Sequence, residues 1–389
     1  MKSIFSRTRT ARALLNNARA RRLKSTTSDE KQSPLKRLLD DASSFGDISN
    51  PEPELRWATE PYARLASQEP TTRVDPRETT VLLFPGQGSQ YVGMGKKLLD
   101  LPAARELYEL ASTVVGWDVA RVCTEGPEEE LQRRCQTAVL VTALAALERL
   151  RDERPGAVQR ARAAAGFSLG EIGALVFAHA LPFEQALRLA ELRAAAMRAA
   201  AAERAGGMLT LWLRPDARLA DALRRARQHA LERGVAAPVC AVANYLQPGC
   251  KVVAGDEAAL RWLEAEGGAW GVRRAARVRV AGAFHTALMA RAAEAVREAL
   301  RHVRVAAPRL CVLSCVDARP YRDAAHARRQ LVRLTTQPVR WEQTLHALFA
   351  RPRGQPQPLT VALGPAAALR ASLRHVNARA WDASLQVDV

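Results

Sequence analysis

"RAAAGFSLGEIGALVFAHAL", residues 162–181, changes character partway along. The first six residues, up to Phe167, are short and apolar enough for a buried strand, and from Leu169 the apolar residues take helical spacing. Ser168 stands at the bend between Gly166 and Gly170, so Gly166-Phe167-Ser168-Leu169-Gly170 satisfies G-x-S-x-G in a strand–turn–helix context. In one reading Ser168 is a nucleophile on a strained turn. The glycines then admit close backbone approach, and the helix start directs N–H groups and a positive dipole end at a developing oxyanion. In the other, Ser168 is an ordinary N-cap, and Glu171 three residues on completes a capping box. The pentapeptide alone fits both.

The flanking sequence extends the α/β pattern. "TTVLLFPGQGSQ" (79–90) is a β-branched apolar run that stops at Pro85, and Gly86 and Gly88 permit a tight loop after it. Helical patterns run over 128–150 and 183–203. From 207 the order becomes "GMLTLWL" (strand), "ARLADALRRARQHALERG" (helix), "PVCAVANY" and "CKVVAG" (strands), "DEAALRWLEAEG" (helix) and "ARVRVAG", residues 276–282 (strand). That β-α-β-β-α-β order is the split βαβ arrangement of ferredoxin-like domains. The fold expected is α/β: a large subdomain over 77–206 and 281–389, with a ferredoxin-like small subdomain inserted at 207–280. A cleft between two such units is a usual place for a site.

Composition bounds the function. The chain has 389 residues, 48% apolar, and a formal charge of +18. Residues 1–27 hold eight Lys/Arg and no Asp or Glu, and taking these eight from +18 leaves +10. An Arg-rich, acid-poor, Ser/Thr-containing start reads as a mitochondrial transit peptide, which directs the protein to the matrix; the alternative is a basic arm that binds nucleic acid. Residues 28–76, rich in Ser, Pro, Asp and Glu without periodicity, read as a linker or lead-in. "TAVLVTALAAL" (137–147) is too short to span a bilayer. The six cysteines form no framework and no paired metal motif, so they read as reduced thiols, mostly packed. No metal and no cofactor is expected.

Among the seven histidines, His179, His229, His302 and His346 lie in helical patterns, where structural roles fit. His285 sits instead in the small-residue loop "AGAFHT" after a strand, from which an imidazole can reach across a cleft.

Combined with "FPGQGSQYVGMG" (84–95), the elbow resembles the pattern of malonyl-CoA:acyl carrier protein transacylases. "CQTAVLVTALAAL" (135–147), "ELRAAAM" (191–197), "GAFHTALM" (282–289) and "QPVRWEQTL" (337–345) agree, in the family's order, across roughly Val81–Gly364. Phe167, where bacterial members usually have histidine, and the final "VDV" look most like animal mitochondrial members. The resemblance implies an α/β-hydrolase-like large subdomain with a ferredoxin-like small one. It implies Ser168 as nucleophile and His285 as general base, oriented by a backbone carbonyl, at Leu334, rather than by a carboxylate. Relatives commonly carry glutamine at that position, and a main-chain acceptor survives the change.

By the same resemblance, Arg193 is the cation for the substrate's free carboxylate, a pairing that is bidentate and strong in a desolvated cleft. An exposed helical arginine is the plain alternative. The backbone N–H groups of Gln87 and Leu169 are the implied oxyanion donors. Gln136 matches a position near the acyl pocket, and Phe284 the pattern of malonyl-selective relatives. Cys315 stands where relatives often have asparagine.

The expectation is a monomeric enzyme that moves a malonyl group from malonyl-CoA to the phosphopantetheine thiol of acyl carrier protein through a malonyl-serine, for mitochondrial fatty acid synthesis. No nucleic acid and no membrane span are expected. The basic surface would steer CoA phosphates and an acidic carrier, making carrier kinetics salt-sensitive. The rivals are a serine thioesterase or esterase with the same elbow chemistry, and a non-catalytic carrier- or RNA-binding protein.

Overall fold

The computed structural model describes residues 75–389, except Ala281 and Arg353. The expected targeting segment and nearly all of the lead-in lie outside the described residues.

Strand β1 (Thr80–Phe84) is buried along its length. Leu82 and Phe84 enter one apolar cluster while Val81 and Leu83 enter another. A strand buried at every position therefore has helices on both faces, as parallel sheets require. β1 pairs in parallel with β2 (Ala161–Gly166), and Phe84 lies opposite Gly166.

Helix α1 (Pro102–Val115) precedes α2 (Cys135–Glu153), and the chain breaks at Arg134, so the helical pattern over 128–150 is two helices rather than one. Most of α2 is buried, because its apolar residues surround the helix instead of lining one stripe. α3 (Gly170–Phe177) and α4 (Phe183–Glu203) follow the elbow.

The second sheet comprises β3 (Gly206–Leu213), β4 (Cys240–Gln247), β5 (Cys250–Asp256) and β6 (Val272–Arg277), with α5 (Leu219–Glu232) after β3 and α6 (Glu257–Glu266) after β5. Its order is β4-β5-β3-β6, all antiparallel, the ferredoxin-like arrangement. β6 lies four residues earlier than "ARVRVAG" suggests. The sheet register ends with Arg277 opposite Leu209, and the alternating Val278 and Val280 belong to a cavity wall instead.

The chain then returns through α7 (Ala290–His302), β7 (Cys311–Ser314), the short antiparallel β8 (Arg319–Pro320), α8 (Ala324–Thr336), α9 (Trp341–Phe349), β9 (Leu359–Ala362), α10 (Ala368–Val376) and β10 (Ser384–Gln386). The six-stranded order is β10-β9-β1-β2-β7-β8. The segments after β1 and β2 thus leave neighbouring parallel strands at their carboxyl ends, where open α/β sheets bind ligands. The six cysteines are free thiols, and all but Cys311 are buried. Among the described residues no helix is long and apolar enough to cross a membrane.

Candidate active site

Ser168 sits on the turn between β2 and α3 with φ of 53°, a region that non-glycine residues enter at a cost. The flanking glycines make the turn possible. A Cβ on Gly166 would overlap the Gly170 carbonyl, and one on Gly170 would overlap the Phe84 carbonyl. Both are backbone atoms that cannot rotate away.

The capping-box reading fails on hydrogen bonding. The Glu171 carboxylate does not turn back to Ser168; it accepts from the Cys315 N–H at 2.6 Å and from the Tyr321 hydroxyl. The Ser168 hydroxyl faces His285 Nε2 at 2.9 Å and accepts from Arg193 Nη2 at 3.0 Å.

His285 arrives from the other side of the cleft, in the loop between β6 and α7, and has φ of 61°. Its Nδ1 lies 2.7 Å from the main-chain oxygen of Leu334, on the last turns of α8. A carbonyl only accepts, so Nδ1 holds the proton and Nε2 is left as the acceptor facing the serine. Burial, reinforced by the nearby Arg193 charge, lowers the imidazole to about 3, so it is neutral at physiological pH.

Arg193, on α4, is 4% exposed. Burial lowers its guanidinium to about 10, against the attraction of Glu171, and it stays cationic at neutral pH. Its side chain donates to Gln136 Oε1 at 2.8 Å and to Ser168, and among the described residues no carboxylate pairs with it directly. A buried cation held by neutral groups is costly on its own and favours an anionic ligand. Gln136, at the start of α2, passes the network on to the Gln87 side chain at 3.2 Å.

The backbone N–H groups of Gln87 and Leu169 have no hydrogen-bond acceptor among the described residues, and Leu169 follows Ser168 as an elbow requires. Ser168, His285, Arg193, Gln87 and Phe284 line one cavity of about 250 Å³ between the two sheets, with Met208 and Thr210 on its far wall. A larger groove of about 570 Å³, between α7 and α8, is lined by arginines and aliphatic residues alone and holds no nucleophile or base.

Two members of this neighbourhood are not among the candidate site residues, although Glu171 enters the sequence reading as a capping-box partner and Trp341 lies in "QPVRWEQTL". Glu171 is fully buried, and burial pushes its carboxyl up to about 8 against hydrogen bonds from Tyr321 and Cys315. Trp341 packs edge-on against Phe167 at 5.6 Å and closes the cavity beside the elbow. Among the described residues no group of three or more His, Cys, Asp or Glu side chains is placed to hold a metal ion.

The model of the family described as "Acyl transferase domain" matches residues 81–355. The chain is 50% identical to the probable mitochondrial malonyl-CoA-acyl carrier protein transacylase of Drosophila melanogaster, over 81% of this chain and 83% of that protein. It is 41% identical to the mitochondrial malonyl-CoA-acyl carrier protein transacylase of Homo sapiens, over 88% and 86%. Among solved structures it resembles an acyl carrier protein S-malonyltransferase from Vibrio cholerae, with a TM-score of 0.71 at 29% identity, covering 80% of this chain and 97% of that one.

Proposed function

Because the chain belongs to the malonyl-CoA:acyl carrier protein transacylases of the acyl transferase family, we propose that it moves malonyl groups from malonyl-CoA to the thiol of acyl carrier protein through a malonyl ester on Ser168. The observation that carries this reading is the Arg193–Ser168 contact at 3.0 Å. A fixed cation touching the nucleophile suits an acyl group with a free carboxylate two bonds beyond the reacting carbonyl. An esterase that delivers its acyl group to water has no use for it.

In this mechanism the substrate carboxylate takes over the Arg193 N–H groups in a charge-assisted pair. His285 Nε2 removes the Ser168 proton as the oxygen attacks the thioester, while Nδ1–H stays on the Leu334 carbonyl. The Gln87 and Leu169 amides receive the oxyanion. The imidazolium returns its proton to the departing CoA thiolate, leaving malonyl-serine, and the carrier's thiol reverses the steps. Transfer between thioesters is nearly balanced in energy, so a histidine without a carboxylate partner is base enough. Phe284 narrows the acyl pocket, and Gln136 holds Arg193 in place.

Residues 207–280 act as a small subdomain that closes one side of the cleft formed by 77–206 and 281–389. The protein is mitochondrial like its named relatives, with residues 1–27 taking it to the matrix, and works there as a monomer. Intact-mass measurement after mixing with malonyl-CoA tests the function. An increase of about 86 Da should appear, map to Ser168 and disappear on adding a thiol-bearing carrier. No adduct, or an adduct that survives in Ser168→Ala, overturns the reading.

A further inference from the structure

Behind the cavity lies a buried charge pair. The β4–β5 hairpin supplies Asn244, Leu246 and Val252 to the cavity wall, and α9 supplies Trp341. Lys251 precedes Val252 and Glu342 follows Trp341, and the Lys251 ammonium donates to the Glu342 carboxylate. The two side chains are 8% and 7% exposed. Successive strand residues point to opposite faces, so Lys251 stands behind the wall that Val252 presents to the cavity. The ammonium also lies 5.2 Å from the centre of the Tyr245 ring and donates to the Gln247 carbonyl at 3.3 Å, both in the same hairpin.

The main chain ties this seam at one point. Tyr245 N–H donates to Val339 O at 2.9 Å, and Val339 N–H donates to Ala243 O at 2.8 Å. The outer end of the hairpin is tied by main chain to β3, where Leu213 N–H donates to Gly249 O at 2.7 Å and Cys250 lies opposite Trp212, but against α9 itself the stretch from Leu246 to Lys251 is held by side chains. An apolar contact would hold it with some freedom to slide. A buried ion pair contributes little net stability over an apolar contact of the same volume, but it tolerates few geometries, because separated charges would be left desolvated.

We propose that Lys251 and Glu342 are positioning residues, a clamp that locks the β4–β5 hairpin to α9 and thereby fixes the width of the cavity around the acyl thioester. The kinetic consequence rests on the proposed transfer function; the mechanical one does not.

The test uses the full chain carrying Lys251→Met with Glu342→Leu, an apolar pair that leaves no charge stranded, beside Lys251→Arg, which keeps the ion pair. Hydrogen exchange over residues 240–253 reads the clamp directly, and KM and kcat with malonyl-CoA and carrier read its effect. In the double variant, amides of the hairpin's outer end should exchange faster while the melting temperature holds. KM should rise about tenfold with kcat changed less, and Lys251→Arg should stay within about twofold of the unaltered protein. Unchanged exchange in the double variant overturns the clamp, and faster exchange with unchanged KM overturns its positioning role. If the unaltered protein forms no malonyl-serine, the transfer function fails instead, and the exchange result still decides the clamp.

Discussion

Arg193 and His285 meet at one oxygen: Arg193 Nη2 donates to Ser168 Oγ at 3.0 Å, and His285 Nε2 faces the same atom at 2.9 Å. The arginine therefore occupies a lone pair of the proposed nucleophile and, after burial, is the second influence that holds down the basicity of the proposed base. A substrate carboxylate that draws the guanidinium away frees the lone pair and offsets the arginine's share of the lowered basicity, while the part due to burial remains. Arg193→Ala should lower kcat/KM for malonyl-CoA by on the order of 10²–10³-fold, since a buried hydrogen-bonded charge partner is lost. For acetyl-CoA, which offers no carboxylate, the same substitution should leave kcat/KM level or raise it. Parallel kinetics with the two thioesters measure the contrast, and equal losses on both would remove Arg193 from carboxylate recognition.

The buried imidazole makes stability depend on pH. His285 is lowered to about 3 in the folded protein, whereas an unfolded imidazole titrates near about 6.5. Between those values the unfolded chain binds the extra proton. This contribution is therefore complete above about 6.5 and is lost as pH falls toward about 3, at up to roughly 1.4 kcal/mol per pH unit. Denaturant titrations at pH 7 and pH 5 should show a larger loss for the unaltered protein than for His285→Gln. Equal losses would mean that the imidazole is not neutral and buried in the native state.

The two site groups easiest to find in the sequence, Ser168 and the Gln87 loop, follow strands whose ends are marked by glycine and proline, so local residue types already announce the turn. Arg193 and His285 are singled out by the family resemblance and, for His285, by its small-residue loop. The Leu334 contact rests on the resemblance alone, because a main-chain acceptor leaves no trace in residue identity. Val278 and Val280 mislead for a physical reason. Alternating apolar residues mark any surface half-buried at period two, and here that surface is the cavity, not the sheet. Nothing near Glu171 announces that its carboxylate is met by Tyr321, 150 residues away, and the Lys251–Glu342 pair spans 91 residues. Long-range polar pairing is set by the fold and is invisible to local pattern.

Gly170, two residues after Ser168, gives a structural prediction. Gly170→Ala places a Cβ against the Phe84 and Pro85 carbonyls, the backbone that opens the Gln87 loop. The clash needs movement of β1's end or of α3, at a cost on the order of 3 kcal/mol. The melting temperature should fall, and acylation of Ser168 should be lost even where the protein stays folded, because the Gln87 and Leu169 amides proposed to hold the oxyanion move apart. Far- and near-ultraviolet circular dichroism alongside the malonyl-adduct assay separate the two effects. Normal acylation in a folded Gly170→Ala protein would show that the loop and the elbow are not in register.

Leu334 separates the side chain from the main chain at one position. Its side chain is buried in the cluster with Leu313, Val339, Trp341 and Leu345, while its carbonyl holds His285 Nδ1 at 2.7 Å. Leu334→Ala should cost about 2–5 kcal/mol by leaving a cavity in that cluster. The acceptor is backbone, and α8 keeps it in place as long as the protein is folded. At a temperature well below the lowered melting point, kcat/KM should therefore remain within about threefold of the unaltered protein, because the interaction made in the transition state is retained. Urea denaturation and malonyl-transfer kinetics on the same sample check both halves. A loss of two orders of magnitude in kcat/KM with α8 intact would mean that the side chain, and not the carbonyl, sets the imidazole's orientation.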